Sequence, residues 1–240
     1  MAQNKRWLLV SDVDDTLLGD DQVLAKLAEV LANADHLVVA YNSSRPCASL
    51  RRSLTENQAL PMPHFLIGAM GTEIQKGESG ESLTEYTQYL GQNWRRDQIA
   101  ALVEDMGLQP HPDKYQTPLK ASYDVPNEET YKRVVKRLQE AELEAKVIHS
   151  GETNLDIIPT EAGKGNVIKY LYQRLDIPAF QVVVAGDSGN DVEMFQPPFR
   201  GIVVGNADAD LKAKKGDHVY QAQATHAAGV LEGLRHWRAV

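Results

Sequence analysis

The chain has almost no cysteine: Cys47 is the single one among 240 residues, so no disulfide can form within it. A lone thiol fits a reducing compartment. A long apolar run is also missing, and nothing approaches the ~18–20 residues that a membrane-spanning helix needs. A secretory leader is not expected either, because Asp12 closes the only short apolar stretch near the N-terminus. These absences predict a cytoplasmic protein with no membrane partner. Positive charge is in the minority: 25 Lys and Arg stand against 33 Asp and Glu, for a net charge of −8. Neutralising a phosphate backbone needs clustered cations, so a nucleic-acid partner is not expected. A hydrophobic content of 42% and a charged content of 24% are ordinary for a globular chain of this length. That length suits one large domain, or a core with a smaller companion.

What the chain does have is two acidic clusters far apart in sequence. Asp12-Val13-Asp14-Asp15-Thr16 follows the apolar run Trp7–Val10, and Gly186-Asp187-Ser188-Gly189-Asn190-Asp191 follows the run Val182–Ala185. Short apolar runs of this kind read as buried parallel strands. Both clusters then lie at the C-terminal ends of strands, where open α/β sheets place their sites. Carboxylates gathered there repel one another and stay ionised together around a cation; an all-oxygen donor set suits Mg²⁺. The first expectation is therefore a Mg²⁺ site that handles an anionic substrate.

The rest of the pattern supplies a frame. Strands are expected at Trp7–Val13, His36–Tyr41 and Phe65–Ala69, with helices over Gln22–Ala32 and from about Pro46. Such alternation implies a parallel sheet with crossover helices. The polar stretch Lys76–Ser82 reads as a boundary. Beyond it come a helix near Trp94–Met106, a strand at Lys120–Val125, a helix at Glu128–Leu143, and short strands at Ala145–His149 and Asn154–Ile158. After Pro159–Gly163 the βα alternation resumes. The expected fold class is α/β: a Rossmann-like parallel-sheet core from residues 1–80 and 160–240, with an inserted α+β cap at 81–159.

Asp12 and Asp14 are two apart on an ending strand, so both side chains point to one side while Val13 points to the other. Such a pair can divide phosphoryl transfer between a nucleophile and a general acid–base. Asp187 can complete a metal site. Ser43 and Ser44, after Tyr41-Asn42, can donate to a phosphoryl oxygen or cap the following helix, and two serines allow both. Lys164 opens a helix, an end that disfavours cations, which points to phosphate binding over an ordinary surface lysine. On the cap strands, Lys120, Ser122, Tyr123, Ser150, Gly151, Asn154 and Asp156 can offer the dense donors and acceptors that sugar hydroxyls require.

Together these motifs resemble the haloacid dehalogenase superfamily of phosphohydrolases: Asp12-x-Asp14-x-Thr16, the Ser43 region, Lys164, and Gly186-Asp187-x-x-Asn190-Asp191, in order, with a C2-type cap between the second and third. Ser43-Ser44 departs from the Thr-Gly often found in relatives but keeps the hydroxyl. The resemblance implies that Asp12 attacks phosphorus and that Asp14 protonates the leaving group and then activates water. It further implies that Asp12, Asp187 and the Asp14 carbonyl hold Mg²⁺, with Asp191 in support, and that Ser43, Ser44, Lys164 and Asn190 grip the phosphate. Within the superfamily the chain is similar to the sucrose-phosphatase family, through Leu9–Thr16, Lys120–Tyr123, His149–Gly151, Asp156–Pro159 and Gln223–Gly229. The implied activity is hydrolysis of sucrose 6-phosphate, with association with sucrose-phosphate synthase as an added partner. Three alternatives stand beside it: a phosphatase for another glycosyl phosphate such as mannosyl-3-phosphoglycerate, a mutase, and a non-catalytic sugar-phosphate-binding module.

Overall fold

The protein is described by a computed structural model over residues 6–151 and 153–240. In chain order its elements are β1 (Trp7–Ser11), α1 (Asp21–Ala32), β2 (Leu37–Asn42), α2 (Cys47–Glu56), β3 (Phe65–Gly68), β4 (Glu73–Lys76), α3 (Thr84–Gly91), α4 (Arg96–Asp105), β5 (Ala121–Asp124), α5 (Glu128–Glu140), β6 (Lys146–Ser150) and β7 (Asn154–Ile158). Then follow α6 (Lys164–Arg174), β8 (Val182–Gly186), a 3-10 turn (Gly189–Met194), β9 (Arg200–Val203), α7 (Ala209–Lys212), β10 (Val219–Gln221) and α8 (His226–His236). Among the described residues no helix is long and apolar enough to cross a membrane.

Seven strands form the large sheet in the order β10-β9-β8-β1-β2-β3-β4. All neighbours are parallel except β3 and β4. The central strands β1, β2 and β8 are apolar on both faces because helices cover both, and their Leu, Val and Ala side chains are buried. Each fully buried Leu or Val contributes about 1.5–3 kcal/mol relative to exposure. Leu9 lies level with Val39 on one side and Val183 on the other. The register continues one residue beyond β1, where the Asp12 amide donates to Ala185 O at 2.9 Å. That pairing sets the two acidic clusters side by side. At the entry of α1 the Asp20 carboxylate accepts the amides of Gln22 and Val23, the expected chemistry for an acidic N-cap.

The cap is a three-stranded antiparallel sheet, β5-β7-β6. One face carries Ala121, Tyr123, Leu155 and Ile157, packed with Ile99 and Val103 of α4 and Val134 and Leu138 of α5. The opposite face carries Lys120, Ser122 and Asp156, as period-two alternation demands.

The strands β4 and β10 and the helices α3 and α7 are absent from the sequence-based expectation. β4 turns Lys76–Ser82 into a hairpin of the large sheet instead of a linker. Leu83, Tyr86 and Leu90 then bury themselves in the large apolar cluster, whereas Trp94 and Ile99 belong to the cap's own cluster. We therefore place the passage into the cap at 92–95 and not at 80–81. On the return, Ile157 lies in the small cluster and Ile158 in the large one.

Candidate active site

The turn after β1 places Asp12 at the sheet edge, 5% exposed, and leaves Asp14 half-exposed. Asp15 adopts a left-handed backbone, φ 58°, which tightens this turn, and Asn206 Nδ2 donates to its carbonyl at 2.7 Å. Lys164, the first residue of α6, is fully buried. Its ammonium donates at 2.7 Å to Asp12 Oδ1, Asn190 Oδ1 and Asp191 Oδ1. An ammonium has three hydrogens, so all are taken. Contact with a phosphoryl oxygen requires one partner to yield; Asp12 and Asn190 both line the cleft, and Asn190 is the uncharged one of the two.

Asp191 is fully buried, and its second oxygen accepts the amides of Asp187 and Ser188 at 3.0 and 3.2 Å. Asp187 Oδ1 accepts from Thr16 Oγ1 at 2.8 Å, joining the two motifs directly. Asp12, Asp187 and Asp191 each offer a carboxylate oxygen within 4.8 Å of the others. The carboxyl of Asp12 is pushed well above the usual range, first by burial, then by Asp191 and Asp187, against the pull of Lys164. Burial and Asp191 push Asp187 up to about 6. Burial would depress the Lys164 ammonium, but Asp12 and Asp191 hold it above its ordinary value. Three carboxylates against one ammonium leave excess negative charge that the protein itself does not offset. This donor set fits a hard divalent cation. The Asp14 side chain lies outside this cluster; the expectation for Asp14 concerned its backbone carbonyl.

Asp14 instead pairs with Arg45, whose Nε lies 2.8 Å from Oδ2. The contact is an ion pair by distance, with the N–H not aimed along it, since Arg45 Nε and Nη2 are buried without an aligned hydrogen bond. Nη1 is anchored by Ser53 Oγ at 2.9 Å. Sequence reasoning gave Arg45 no role. Its signal was being the one cation between the paired serines and Pro46.

Ser43 is buried, and its Oγ accepts the Arg45 amide at 3.1 Å, while Ser44 lines the cleft. Neither serine caps α2: its N-cap is Pro46, and the Cys47 amide donates to Glu73 Oε2 of β4 at 2.9 Å.

Between sheet edge and cap lies a cavity of about 750 Å³, lined by Asp12, Asp14 and Asp187 from the core and by Ser150, Gly151 and Asn154 from the cap. A second cavity of about 440 Å³ shares Ser44, Ser150, Asn154 and Asn190 with it. Arg45, Lys120 and Asp156 border this second chamber, with His111 and Tyr115 at its cap side. There Asp156 accepts from Lys120 Nζ at 2.9 Å and from Ser122 Oγ at 2.5 Å. Gln116 locks the wall by bonding both backbone groups of Ser122 and the His111 carbonyl. Tyr123, expected among the sugar contacts, faces away: it is 2% exposed in the cap's apolar cluster, with its hydroxyl toward Glu104. His111 and Tyr115, which line the chamber, were not foreseen, because their loop has no periodicity to place them.

The family model for sucrose-6F-phosphate phosphohydrolase matches residues 5–238. A mannosylfructose-phosphate phosphatase of Agrobacterium fabrum is 33% identical over 96% of both chains. A sucrose-phosphatase of Nicotiana tabacum is 29% identical over 96% of this chain, which spans 59% of that protein. The solved structure of the Synechocystis sucrose-phosphatase, in complex with sucrose and phosphate, superposes with a TM-score of 0.89 at 31% identity over 98% of each chain. The fold is also that of a haloacid dehalogenase-like hydrolase from Bacillus subtilis, with a TM-score of 0.72 at 16% identity over 98% of this chain and 92% of that one.

Proposed function

Because the chain belongs to the sucrose-6F-phosphate phosphohydrolase family and is a phosphatase, we propose that it hydrolyses sucrose 6-phosphate to sucrose and phosphate with Mg²⁺ as cofactor. The observation that carries this reading is the joining of two chambers at Ser44 and Asn190. One is acidic and built for phosphoryl chemistry; the other is polar and close to charge-balanced, with room for a sugar.

Asp12 is the nucleophile. A carboxylate oxygen attacks phosphorus as the bond from phosphorus to the sugar oxygen breaks, leaving an aspartyl-phosphate. Asp14, positioned by Arg45, enters this step in its protonated form and gives that proton to the departing alkoxide. It then takes one from water, whose oxygen attacks the aspartyl-phosphate to release phosphate and restore Asp12. Lys164 supplies fixed positive charge beside the attacked phosphate, and the Ser43 and Ser44 hydroxyls are its expected donors. Asp12, Asp187 and the Asp14 carbonyl are the groups that would hold the cation, with Asp191 positioning them. When bound, the cation offsets the repulsion between carboxylate and phosphate.

The cap chamber is the substrate filter. Lys120 is committed to Asp156 and Arg45 to Asp14. Every lysine or arginine lining the two chambers is thus already paired, which disfavours a substrate with an extra carboxylate such as mannosyl-3-phosphoglycerate. The Agrobacterium relative favours a specific second reading, mannosylfructose phosphate, also an uncharged disaccharide apart from its phosphate.

The test is phosphate release from sucrose 6-phosphate, mannosylfructose phosphate, mannosyl-3-phosphoglycerate, trehalose 6-phosphate and glucose 6-phosphate, with Mg²⁺ and with EDTA. Mg²⁺-dependent preference for sucrose 6-phosphate is expected. Preference for another member would overturn the substrate while keeping the chemistry.

A further inference from the structure

Lys146 opens β6 on the cap, yet its ammonium reaches into the core. It donates to Glu193 Oε1 at 2.7 Å and to Ala162 O at 2.6 Å. Apolar contacts run beside it, with Leu119 and Ile148 packed on the large cluster.

Both partners sit on elements that also reach the cleft. β6 starts at Lys146 and ends at Ser150, which lines both chambers. The 3-10 turn carries Asn190 and Asp191, the acceptors of Lys164, and Glu193 stands two residues further on. One pair of charges therefore clamps the cap strand that faces the sugar to the turn that holds the catalytic lysine.

The neighbouring backbone is shaped around this clamp. Gly163 has φ +127°, and a Cβ there would lie 2.4 Å from Glu193 Oε2 and 2.7 Å from Lys146 Nζ. A Cβ on Gly165 would lie 2.4 Å from Glu193 O. Both glycines flank Lys164, so the passage back from the cap leaves space for the pair immediately beside the catalytic ammonium. The two side chains are 26% and 35% exposed, so the pair's value as bulk stability is small. Its geometry suits a registration device better.

We propose that Lys146 and Glu193 are positioning residues that fix the cap over the phosphate site, so that the sugar chamber and the catalytic turn are in register. This rests on the phosphatase reading above for its kinetic consequence, though not for its structural one. A substrate that fills both chambers depends on the register; a small phosphoester handled by the core alone does not.

Two measurements test it. Cys47 is buried, so spin labels can be placed at Lys26→Cys on the core and Lys136→Cys on the cap, both exposed positions. The distance distribution should be broader in Lys146→Met than in the wild type and return to wild-type width in Lys146→Arg. An unchanged width in Lys146→Met overturns the proposal. In kinetics, Lys146→Met and Glu193→Ala should each lower kcat/KM for sucrose 6-phosphate about 10-fold while changing that for p-nitrophenyl phosphate less than about 2-fold. Equal losses on both substrates would make the pair merely structural and overturn it. If the wild type does not turn over sucrose 6-phosphate, the substrate reading falls, and the label distances, which need no substrate, still decide the clamp.

Discussion

Among the described residues two lysines are buried beside carboxylates, and they do opposite things. Lys164 in the core faces Asp12 and Asp191, with Asp187 close by, so negative charge is in excess. Lys120 in the cap faces Asp156 alone, and that carboxylate also accepts from the neutral Ser122 hydroxyl. The first site is electrostatically unfinished: its excess negative charge suits a cation, which in the proposed reading then admits the phosphate. The second is balanced and can only offer hydrogen bonds, which supports the proposed role in reading uncharged sugar hydroxyls. The difference explains how one cleft can separate chemistry from selectivity.

The largest expected effect comes from breaking the unfinished site. Asp12→Asn removes the attacking oxygen and should lower kcat by about 10⁴-fold or more. Because it also removes a carboxyl that burial and its neighbours disfavour in charged form, its metal-free melting temperature should not fall below that of the wild type. Calorimetry in EDTA checks this, and a clear drop would mean that Asp12 is chiefly structural. Next in size, Lys164→Met should cost about 10³-fold in kcat through lost charge at the phosphate. Steady-state phosphate release measures it.

The balanced site should fail differently. Lys120→Met strands a buried carboxylate and should destabilise the protein by about 3–5 kcal/mol in denaturant titration. Lys120→Met combined with Asp156→Leu should recover part of that loss, since no charge is then left unpaired. If the double variant is as unstable as the sum of the singles, the two groups are not a pair in solution.

The smallest effect concerns pH. Asp187 has its carboxyl raised to about 6 in the folded protein, against about 3.9 in an unfolded chain. The folded state then binds the proton more tightly, so this group's contribution to stability declines as pH rises from about 4 through 6. Without metal, the wild type should lose stability over this window relative to Asp187→Asn. Saturating Mg²⁺ should reverse the difference, because the cation favours the ionised Asp187 carboxylate and binds the wild type more tightly than Asp187→Asn. Melting temperatures at pH 5, 6 and 7 provide the check.

The unfinished site was legible in the sequence and much of the balanced one was not. Strands buried on both faces are written as apolar runs, so the residues after them, Asp12, Asp14, Asp187 and Asp191, could be placed without a structure. The edge strands Glu73–Lys76 and Val219–Gln221 are short and carry polar side chains, and no run announces them. That silence turned the hairpin after β4, Lys76–Ser82, into an apparent linker and moved the cap boundary. Tyr123 was grouped with Lys120 and Ser122, although alternation along β5 sends it to the other face. The pairs Arg45–Asp14 and Lys146–Glu193 join distant segments, and local pattern does not encode them. The first pair lies within the core and the second joins cap to core, so neither follows from the strand pattern that declares the topology.

The division of labour between the two lysines is tested most directly by the selectivity of Lys120→Met. The measurement is kcat/KM for sucrose 6-phosphate and for p-nitrophenyl phosphate, in wild type and variant, at saturating Mg²⁺ and a temperature where both are folded. The account predicts a fall of about 10–100-fold for the sugar phosphate, from hydrogen bonds left unmade, and little change for the small ester. An equal fall on both substrates would contradict it, because Lys120 would then act on the chemistry that the account assigns to the core alone.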